Sequence, residues 1–452
     1  MTSIGLLKES MMGQRVSLRN LPGAGLFKKG DVFVLFGELF DRGYANGLVD
    51  EARAAGMEII GFTVGRRTED NSLRPLTAEE LEAAEAHLGG RIINVPLMAG
   101  FDLDAPDGGL TPRDVINQLS MATWYDEKFD WDYLGKCRQI GVDRFKSAAA
   151  QAFAQLKDMI PEGRNVFFAH TMAGGVPKAK IFLALANRIY KGRGDRFLSS
   201  NDFIASDLGK LILQNFEEVT ANTFQHLIEG TEEIRDRIVG NGNHVHYSAY
   251  GYHGTEILIN DAYKWQTYSN YTQGYAKKKL EQIASDSWEK GIKASVFNCP
   301  EIRTNSSDIF VGVELPLFSL LLALKKEDGG AWAEAQWKHC GDLLQDDVPL
   351  ETVLQKIQDL NNSEVMERTR DFDSWPAPNA PDLAETVISA SQEITKMHKD
   401  RGALITDHLS ALVVLATGTL IFREMADPTG PVVWLNHDIV AKQLNEARPS
   451  VS

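Results

Sequence analysis

The sequence predicts an α/β protein with a doubly wound parallel sheet, and three observations carry this prediction. A short continuous apolar run within residues 31–37 is typical of a strand that is buried on both faces, and further strands follow, such as the third at residues 91–97. Segments of helical composition separate these runs, as they do in the crossover connections of parallel sheets. A turn containing several glycines follows the first run and leads into the first of these helices. This alternation favours an open sheet with helices on both faces.

The composition of the 452-residue chain narrows its functional class. With 47 basic against 62 acidic residues, the net charge of -15 argues against nucleic acid as a bulk partner. The three cysteines are far apart and have no metal-ligand spacing, which predicts a reducing compartment and no metal site. The N-terminus lacks a secretory signal pattern, and the longest apolar runs, 315–324 and 409–422, are too short or too interrupted to span a bilayer. We therefore expect a soluble cytoplasmic protein.

The first strand–helix–strand unit contains a candidate phosphate-binding turn. Residues 31–37 predict a strand, residues 43–56 a helix that ends at a glycine, and residues 57–64 a second strand. Gly37 and Gly43 lie in the turn before the helix, where backbone N–H groups and the helix dipole favour an anion. The spacing is not that of the usual G-x-G-x-x-G motif, and a plain strand–helix turn would explain these glycines equally well.

Residues after the second and third strands are candidates for binding the nucleoside part of a dinucleotide. Arg66 and Arg67 follow the second strand, a place where arginine accommodates a 2′-phosphate, and this favours NADPH over NADH. Two solvated loop arginines are the alternative. Asp102 and Leu103 follow the third strand, where Asp102 would either contact the adenine edge or begin the loop as a turn residue.

The remaining elements complete one elaborated domain. Further strands are predicted at residues 165–170, 244–251, 294–298 and 431–436, with helices at 206–227, 315–325 and 409–422. We expect a core of about residues 30–315 plus a last part at about 405–440, and a mainly helical insertion at 326–400.

A phenol and an ammonium lie close together at the head of a predicted helix between the fifth and sixth strands. Tyr271 and Lys277 are six residues apart, under two turns at about 3.6 residues per turn, so both can face one cleft. A nearby ammonium lowers the pKa of a phenol, which can then hydrogen-bond an oxygen on which charge develops. Taken alone, the pattern favours a core tyrosine and a solvated lysine run at 277–279. The nucleotide-binding turn earlier in the chain favours the catalytic interpretation.

Four motifs in this order carry a family resemblance. They are the turn 37–47, Asp102-Leu103, Tyr271 with Gly274-x-Ala276-Lys277, and Cys299-Pro300-Glu301-Ile302-Arg303-Thr304. The chain resembles the enoyl-acyl-carrier-protein reductases of the short-chain dehydrogenase/reductase superfamily, and among them the long, divergent FabMG type. The resemblance covers about residues 30–315 and the last strand, and it does not explain residues 326–400.

The resemblance implies a Rossmann fold with helical insertions and reduction of the 2,3 double bond of a trans-2-enoyl thioester in fatty-acid synthesis. A reduced nicotinamide would deliver a hydride to C3, Tyr271 would hydrogen-bond the C1 oxygen of the enolate, and Lys277 would hold the ribose hydroxyls. Tyr250 fits the place of a second tyrosine at the end of the fifth strand, with Tyr252 as the alternative. The implied cofactor-binding residues are Gly37, Gly43, Tyr44, Arg66, Arg67, Asp102, Leu103, Lys277, Ile302 and Thr304.

The tyrosine–lysine register, the cofactor and the carrier stay open at this point. Tyr271 and Lys277 enclose five residues, one fewer than in the family; Tyr271 and Lys278 enclose six, and Tyr268 and Lys277 enclose eight. NADPH is expected, with NADH as the alternative. The acyl thioester would be carried by acyl carrier protein, but that protein is acidic like this chain, so coenzyme A thioesters are also candidates. A homo-oligomer is implied by the resemblance.

Two other functions are carried forward. A carbonyl or hydroxysteroid reductase of the same superfamily would use the same groups. Its Tyr-x3-Lys spacing is absent around Lys277, where Gln273 takes the place of the tyrosine, although Tyr275 lies four residues before Lys279. A catalytically silent nucleotide-binding protein would bind the cofactor without turnover.

Overall fold

An eight-stranded sheet, parallel throughout, forms the centre of the fold. The computed structural model describes residues 15–23, 25–175, 177, 179–266, 272–304 and 309–449. The strands are β1 (Arg15–Ser17), β2 (Val32–Phe36), β3 (Glu58–Thr63), β4 (Arg66–Arg67), β5 (Leu73–Arg74), β6 (Arg91–Pro96), β7 (Val166–His170), β8 (Val245–Tyr250), β9 (Thr255–Ile259), β10 (Ala262–Gln266), β11 (Ala294–Asn298) and β12 (Val432–Trp434). The order in the sheet is β1-β12-β11-β8-β7-β2-β3-β6.

Helices cover both faces of this sheet. In chain order they are α1 (Ala45–Ala54), α2 (Ala78–Leu88), α3 (Pro112–Asn117), α4 (Trp131–Met159), α5 (Lys180–Lys191), α6 (Ser200–Ala205), α7 (Asp207–Glu217), α8 (Thr223–Gly230), α9 (Glu232–Gly240), α10 (Gly274–Glu289), α11 (Phe318–Lys326), α12 (Ala331–Asp342), α13 (Leu350–Asn361), α14 (Glu364–Glu367), α15 (Pro381–Lys396), α16 (Ile405–Glu424) and α17 (His437–Ala447). The predicted doubly wound α/β class is confirmed.

The strand order reverses between β2 and β7, and this reversal positions the site. The chain leaves β2 for β3 and β6 on one side and returns to β7 on the other. Leu35 pairs with Ala169 and Phe36 with His170, so the turns that follow β2 and β7 begin side by side. In open parallel sheets, ligands bind in the crevice at this point.

The central strands are apolar because both faces of the sheet are covered. All five residues of β2 are buried. Phe33 and Leu35 belong to a core cluster on one face, while Val34 and Phe36 belong to the cluster on the other. This two-sided burial explains why continuous apolar runs, without alternation, identified the strands in the sequence.

Helix α16 is buried in the first of these clusters and contacts α1 through two glycines. A Cβ at Gly47 would overlap the backbone of α16, and one at Gly418 would overlap the backbone of α1. Within the described ranges, α16 alone is long and apolar enough to cross a membrane, and 67% of its most apolar window is buried in the fold. A helix that is apolar on all sides is typical of this central position.

Several elements differ from the sequence prediction. The polar lead-in contains the edge strand β1, and the polar loop after β8 contains the antiparallel hairpin β9–β10. Arg66 and Arg67 form β4 instead of a loop. The predicted helix at 206–227 contains a π-helical segment, Glu218–Asn222, and ends at Gly230. Short edge strands with polar residues lack the apolar run that identified the central strands. The division of the chain into one elaborated domain stays a prediction.

Candidate active site

A cavity of about 310 Å³ opens at the carboxyl ends of the central strands. The turn after β2, the turn after β7, the end of β8 and the start of α10 all contribute to its wall. Tyr44, Thr171, Tyr250, Lys277 and Ile302 are among the residues that line it. Five segments that are distant in sequence therefore meet at the point where the strand order reverses.

The turn between β2 and α1 has the form of an anion cradle. Gly37 has a φ of +138°, and a Cβ there would overlap Thr171 Oγ1, so only glycine fits this turn. Gly43 leaves open space where a Cβ would lie. Helix α1 begins directly afterwards, with no acidic residue in its first turn, and Ala45 and Asn46 of that turn line the cavity. Free amide groups at a helix start favour a pyrophosphate, so these residues fit a dinucleotide.

Lys277 lies in the first turns of α10 and lines the cavity. Its Nζ donates a hydrogen bond to the backbone carbonyl of Tyr250, at 2.6 Å. Burial lowers the pKa of Lys277 to about 8. Lys278 is exposed and Lys279 Nζ donates to Glu217 at 3.1 Å, so the helix turns Lys277 alone of this run toward the cavity.

Tyr250 ends β8 and presents its phenol to the same cavity. Its Oη is buried and has no hydrogen-bond partner among the described residues. The ring stacks on Tyr44, with centroids 5.6 Å apart, and Tyr44 Oη donates to the Pro300 carbonyl at 2.6 Å. Burial raises the pKa of Tyr250 well above its ordinary value, so the phenol stays protonated and able to donate.

The other tyrosines of the predicted site have different positions. Tyr271 and Tyr268 lie outside the described residues. Tyr252 also lines the cavity, and its hydroxyl contacts the Glu301 carboxylate. Tyr275 is exposed, and neither it nor Lys279 lines the cavity.

Ile302 and Thr304 line the cavity, as the motif after the sixth strand predicts. His170, to which the sequence gave no role, lines it as well. Its Nε2 lies 2.8 Å from Thr223 Oγ1, and burial lowers the pKa of His170 to about 3, so the ring is neutral. This histidine is a buried hydrogen-bonded wall residue.

Sequence reasoning missed an acidic residue, Glu38, whose side chain reaches the end of β3 from the turn after β2. Glu38 directly follows Gly37, and its Oε1 accepts hydrogen bonds from Thr63 Oγ1 at 2.6 Å and from the Val64 amide at 3.1 Å. Arg66 donates to the same oxygen at 2.8 Å. In folds of this type an acidic residue at the end of the second strand binds the ribose. Here the carboxylate at that position comes from the turn after the first predicted strand, β2. Arg66 is therefore paired with a carboxylate, and its predicted role toward a 2′-phosphate stays a prediction.

The remaining predicted nucleoside ligands do not line the cavity. Arg67 Nη1 donates to the Asn71 carbonyl at 2.6 Å. Burial raises the pKa of Asp102, whose carboxyl lies in the field of Arg67. Leu103 is half-buried. These residues lie close to one another beyond the ends of β3 and β6.

One part of the cavity wall is apolar. It is built by side chains of α5 and α7 and by residues after position 308, and these are Phe182, Leu183, Ala186, Tyr190, Phe216, Ile309, Phe310 and Val313. Sequence reasoning assigned none of them to the site, although the spacing of the α5 members on one helical face was visible. The cavity therefore has a polar end at Lys277 and an apolar end that suits a hydrocarbon chain.

Comparisons with known proteins identify the family of the chain. The sequence family described as "Enoyl-acyl carrier protein reductase FabMG" matches residues 14–444. An apo structure of FabMG, described as a novel type of enoyl-acyl carrier protein reductase, is 64% identical over 96% of this chain and 98% of its own, with a TM-score of 0.94. An NADH-bound FabMG structure is 55% identical over 96% of this chain and 99% of its own, with a TM-score of 0.79. A search of curated proteins gives no match. The chain therefore belongs to the FabMG family of enoyl-acyl carrier protein reductases, and it is an oxidoreductase of fatty-acid synthesis.

Proposed function

We propose that this enoyl reductase uses NADH to reduce trans-2-enoyl groups carried on acyl carrier protein. Among the described residues, Lys277 would bind the cofactor and Tyr250 would hydrogen-bond the substrate. The observation that carries this proposal is their placement. Lys277 Nζ lies 2.6 Å from the Tyr250 carbonyl, and both side chains line one cavity beside the glycine turn.

The reduced nicotinamide, when bound, supplies the hydride. The turn at Gly37 and the first amides of α1 would hold the pyrophosphate, and Lys277 would hold the ribose. Tyr250 Oη, which is buried and has no partner among the described residues, would donate to the thioester oxygen as negative charge develops on it. Tyr271 is the candidate for the same role from the motif spacing, so the two phenols must be distinguished by experiment.

A pair of phenylalanine variants makes that distinction. NADH oxidation is followed with a crotonyl thioester, first on acyl carrier protein and then on coenzyme A. We expect Tyr250→Phe to lower kcat by about 10²-fold or more if its hydroxyl stabilises the developing charge. Exposed Tyr275→Phe is the matched control and should keep the full rate. Full rate in Tyr250→Phe with loss in Tyr271→Phe would transfer the role to Tyr271, and no oxidation by the wild type would refute the proposal.

The preference for NADH over NADPH is proposed from Glu38. Its carboxylate lies at the end of β3, where folds of this type bind the adenosine ribose, and it neutralises Arg66. A 2′-phosphate placed there would meet a negative charge, while a ribose hydroxyl would meet an acceptor. The NADH-bound relative supports the same choice. This replaces the NADPH preference that the arginine pair indicated in the sequence.

The cofactor preference is tested by removing the charge of Glu38. Glu38→Gln keeps an oxygen for Thr63 and Val64, and we expect the NADH-to-NADPH ratio of kcat/KM to fall about tenfold or more. Glu79→Gln, exposed on α2, is the control. An unchanged ratio would contradict the assignment of Glu38.

The carrier, the assembly and the location complete the proposal. The family name implies a carrier-bound substrate, which a comparison of kcat/KM for the two crotonyl thioesters tests directly. A homo-oligomer is expected, to be checked by light scattering. The buried, unpaired state of Cys137, Cys299 and Cys340 suits the cytoplasmic location that the composition suggested.

A further inference from the structure

A second cavity, of about 70 Å³, lies against the apolar end of the first. Tyr190 and Val313 line both cavities, so no more than a layer of side chains separates them. The far walls come from α13, α14 and α15, which belong to residues 326–400. The family resemblance left this part of the chain without a role.

The second cavity is lined mainly by aliphatic side chains. On the side of the helical segment these are Leu360, Met366, Leu383, Ala384, Val387 and Ile388. Polar groups also line it. Gln266 Nε2 donates to Thr369, Gln266 Oε1 is buried without a hydrogen-bond partner among the described residues, and Glu301, Asn361 and Asn379 complete the polar part of the wall. Apolar voids lose packing energy, since the atoms that line them lack partners on one side. An apolar ligand would restore these contacts.

We infer that the second cavity receives the distal end of a long acyl chain, so that residues 326–400 set the length of substrate that the enzyme prefers. The inference rests on the proposed function, which fixes the thioester near Lys277 and Tyr250. Phe182 and Ala186 of α5 give the first cavity an apolar wall beside Tyr190, and Tyr190 lines both cavities. The Tyr190 ring packs on Phe310, with centroids 4.6 Å apart, at the boundary between the cavities.

The shared lining favours an acyl tail over the cofactor as the occupant. The glycine turn and Lys277, which would hold the cofactor, line the first cavity only, whereas the residues shared with the second cavity are Tyr190 and Val313. A saturated chain has no polar group that needs a partner, which suits a wall of leucine, valine and methionine. A chain too short to pass Tyr190 would leave the second cavity empty and would not respond to changes in it.

The test fills the second cavity with a larger side chain and varies the length of the acyl chain of the substrate. Ala384→Phe adds a ring to its wall from α15, and Gln392→Phe adds the same ring to the exposed side of that helix as a control. Wild type and variants are compared with crotonyl, octenoyl, dodecenoyl and hexadecenoyl thioesters. We expect Ala384→Phe to keep the crotonyl kcat/KM within about twofold and to lower that of the longest chains by about tenfold or more. Equal effects on all chain lengths would overturn the inference.

A wild-type measurement keeps the inference testable if Ala384→Phe does not fold. Saturated acyl thioesters of increasing length are tested as inhibitors against the crotonyl substrate. Each added methylene that enters an apolar cavity should tighten inhibition by about three- to fourfold until the cavity is full. If the inhibition constant stops falling at acyl chains too short to extend beyond Tyr190, the inference is overturned. Failure of crotonyl turnover itself would instead refute the proposed function.

Discussion

Replacing Lys277 with methionine should stabilise the cofactor-free protein in a pH-dependent way while abolishing activity. Methionine is of similar length and carries no charge. The Lys277 side chain is buried, and burial lowers its pKa from 10.5 to about 8. A lysine pKa that is lower in the folded than in the unfolded state means that folding disfavours the ammonium.

The magnitude follows from the two pKa values. At pH 7 both states are protonated, and the difference between 10.5 and about 8 corresponds to about 3 kcal/mol of destabilisation by the buried ammonium. As the pH rises above about 8, Lys277 of the folded state loses its proton first and this penalty falls, to about 1 kcal/mol at pH 9.5. The variant also loses the hydrogen bond to the Tyr250 carbonyl. This loss lowers its stability by about 1–2 kcal/mol at every pH and so offsets part of the gain from removing the buried ammonium.

The measurement is urea unfolding of the cofactor-free wild type and Lys277→Met between pH 7 and pH 9.5. The stability of the wild type relative to the variant should rise by about 2 kcal/mol over this range. Lys278→Met, which changes an exposed neighbour, should leave the pH profile of the wild type unchanged. A difference between wild type and Lys277→Met that stays constant with pH, or that moves in the opposite direction, would refute the reasoning.

Two glycine substitutions test the packing around the site. Gly37→Ala forces a Cβ against Thr171 Oγ1 at a φ of +138°, so NADH affinity, measured by fluorescence titration, should fall about tenfold or more, and unchanged affinity would argue against the cradle. Gly418→Ala pushes α16 away from α1 and should lower the free energy of unfolding by about 2 kcal/mol or more. Gly240→Ala, a helical position with open space around its Cβ, is the control for both and should not lower stability.

The central strands could be predicted from the sequence because strands that are buried on both faces of a sheet consist mainly of apolar residues. The run that became β2 is apolar throughout, β7 is apolar as far as Ala169, β11 is mainly apolar, and all of their residues are buried. The lysine motif predicted Lys277 but could not exclude Lys278, since the register depends on where α10 begins. With α10 starting at Gly274, the helix directs Lys277 inward and Lys278 outward.

The parts of the site that escaped prediction depend on contacts between segments far apart in sequence. Glu38 belongs to the turn after β2 but acts at the end of β3, and no local pattern shows that reach. The second cavity joins Tyr190 of α5 to Ala384 of α15, and only the tertiary structure brings these helices together. Edge elements such as β1 were missed because a three-residue strand has too little pattern to be recognised.

The contact between Gly47 and Gly418 has a consequence for how the enzyme matures in the cell. The helix that follows the glycine turn is synthesised long before the helix against which it rests. A nascent or truncated chain that ends before residue 405 would lack the support beneath its own dinucleotide cradle. We therefore expect such chains to capture no cofactor, so that NADH can stabilise only molecules that include α16.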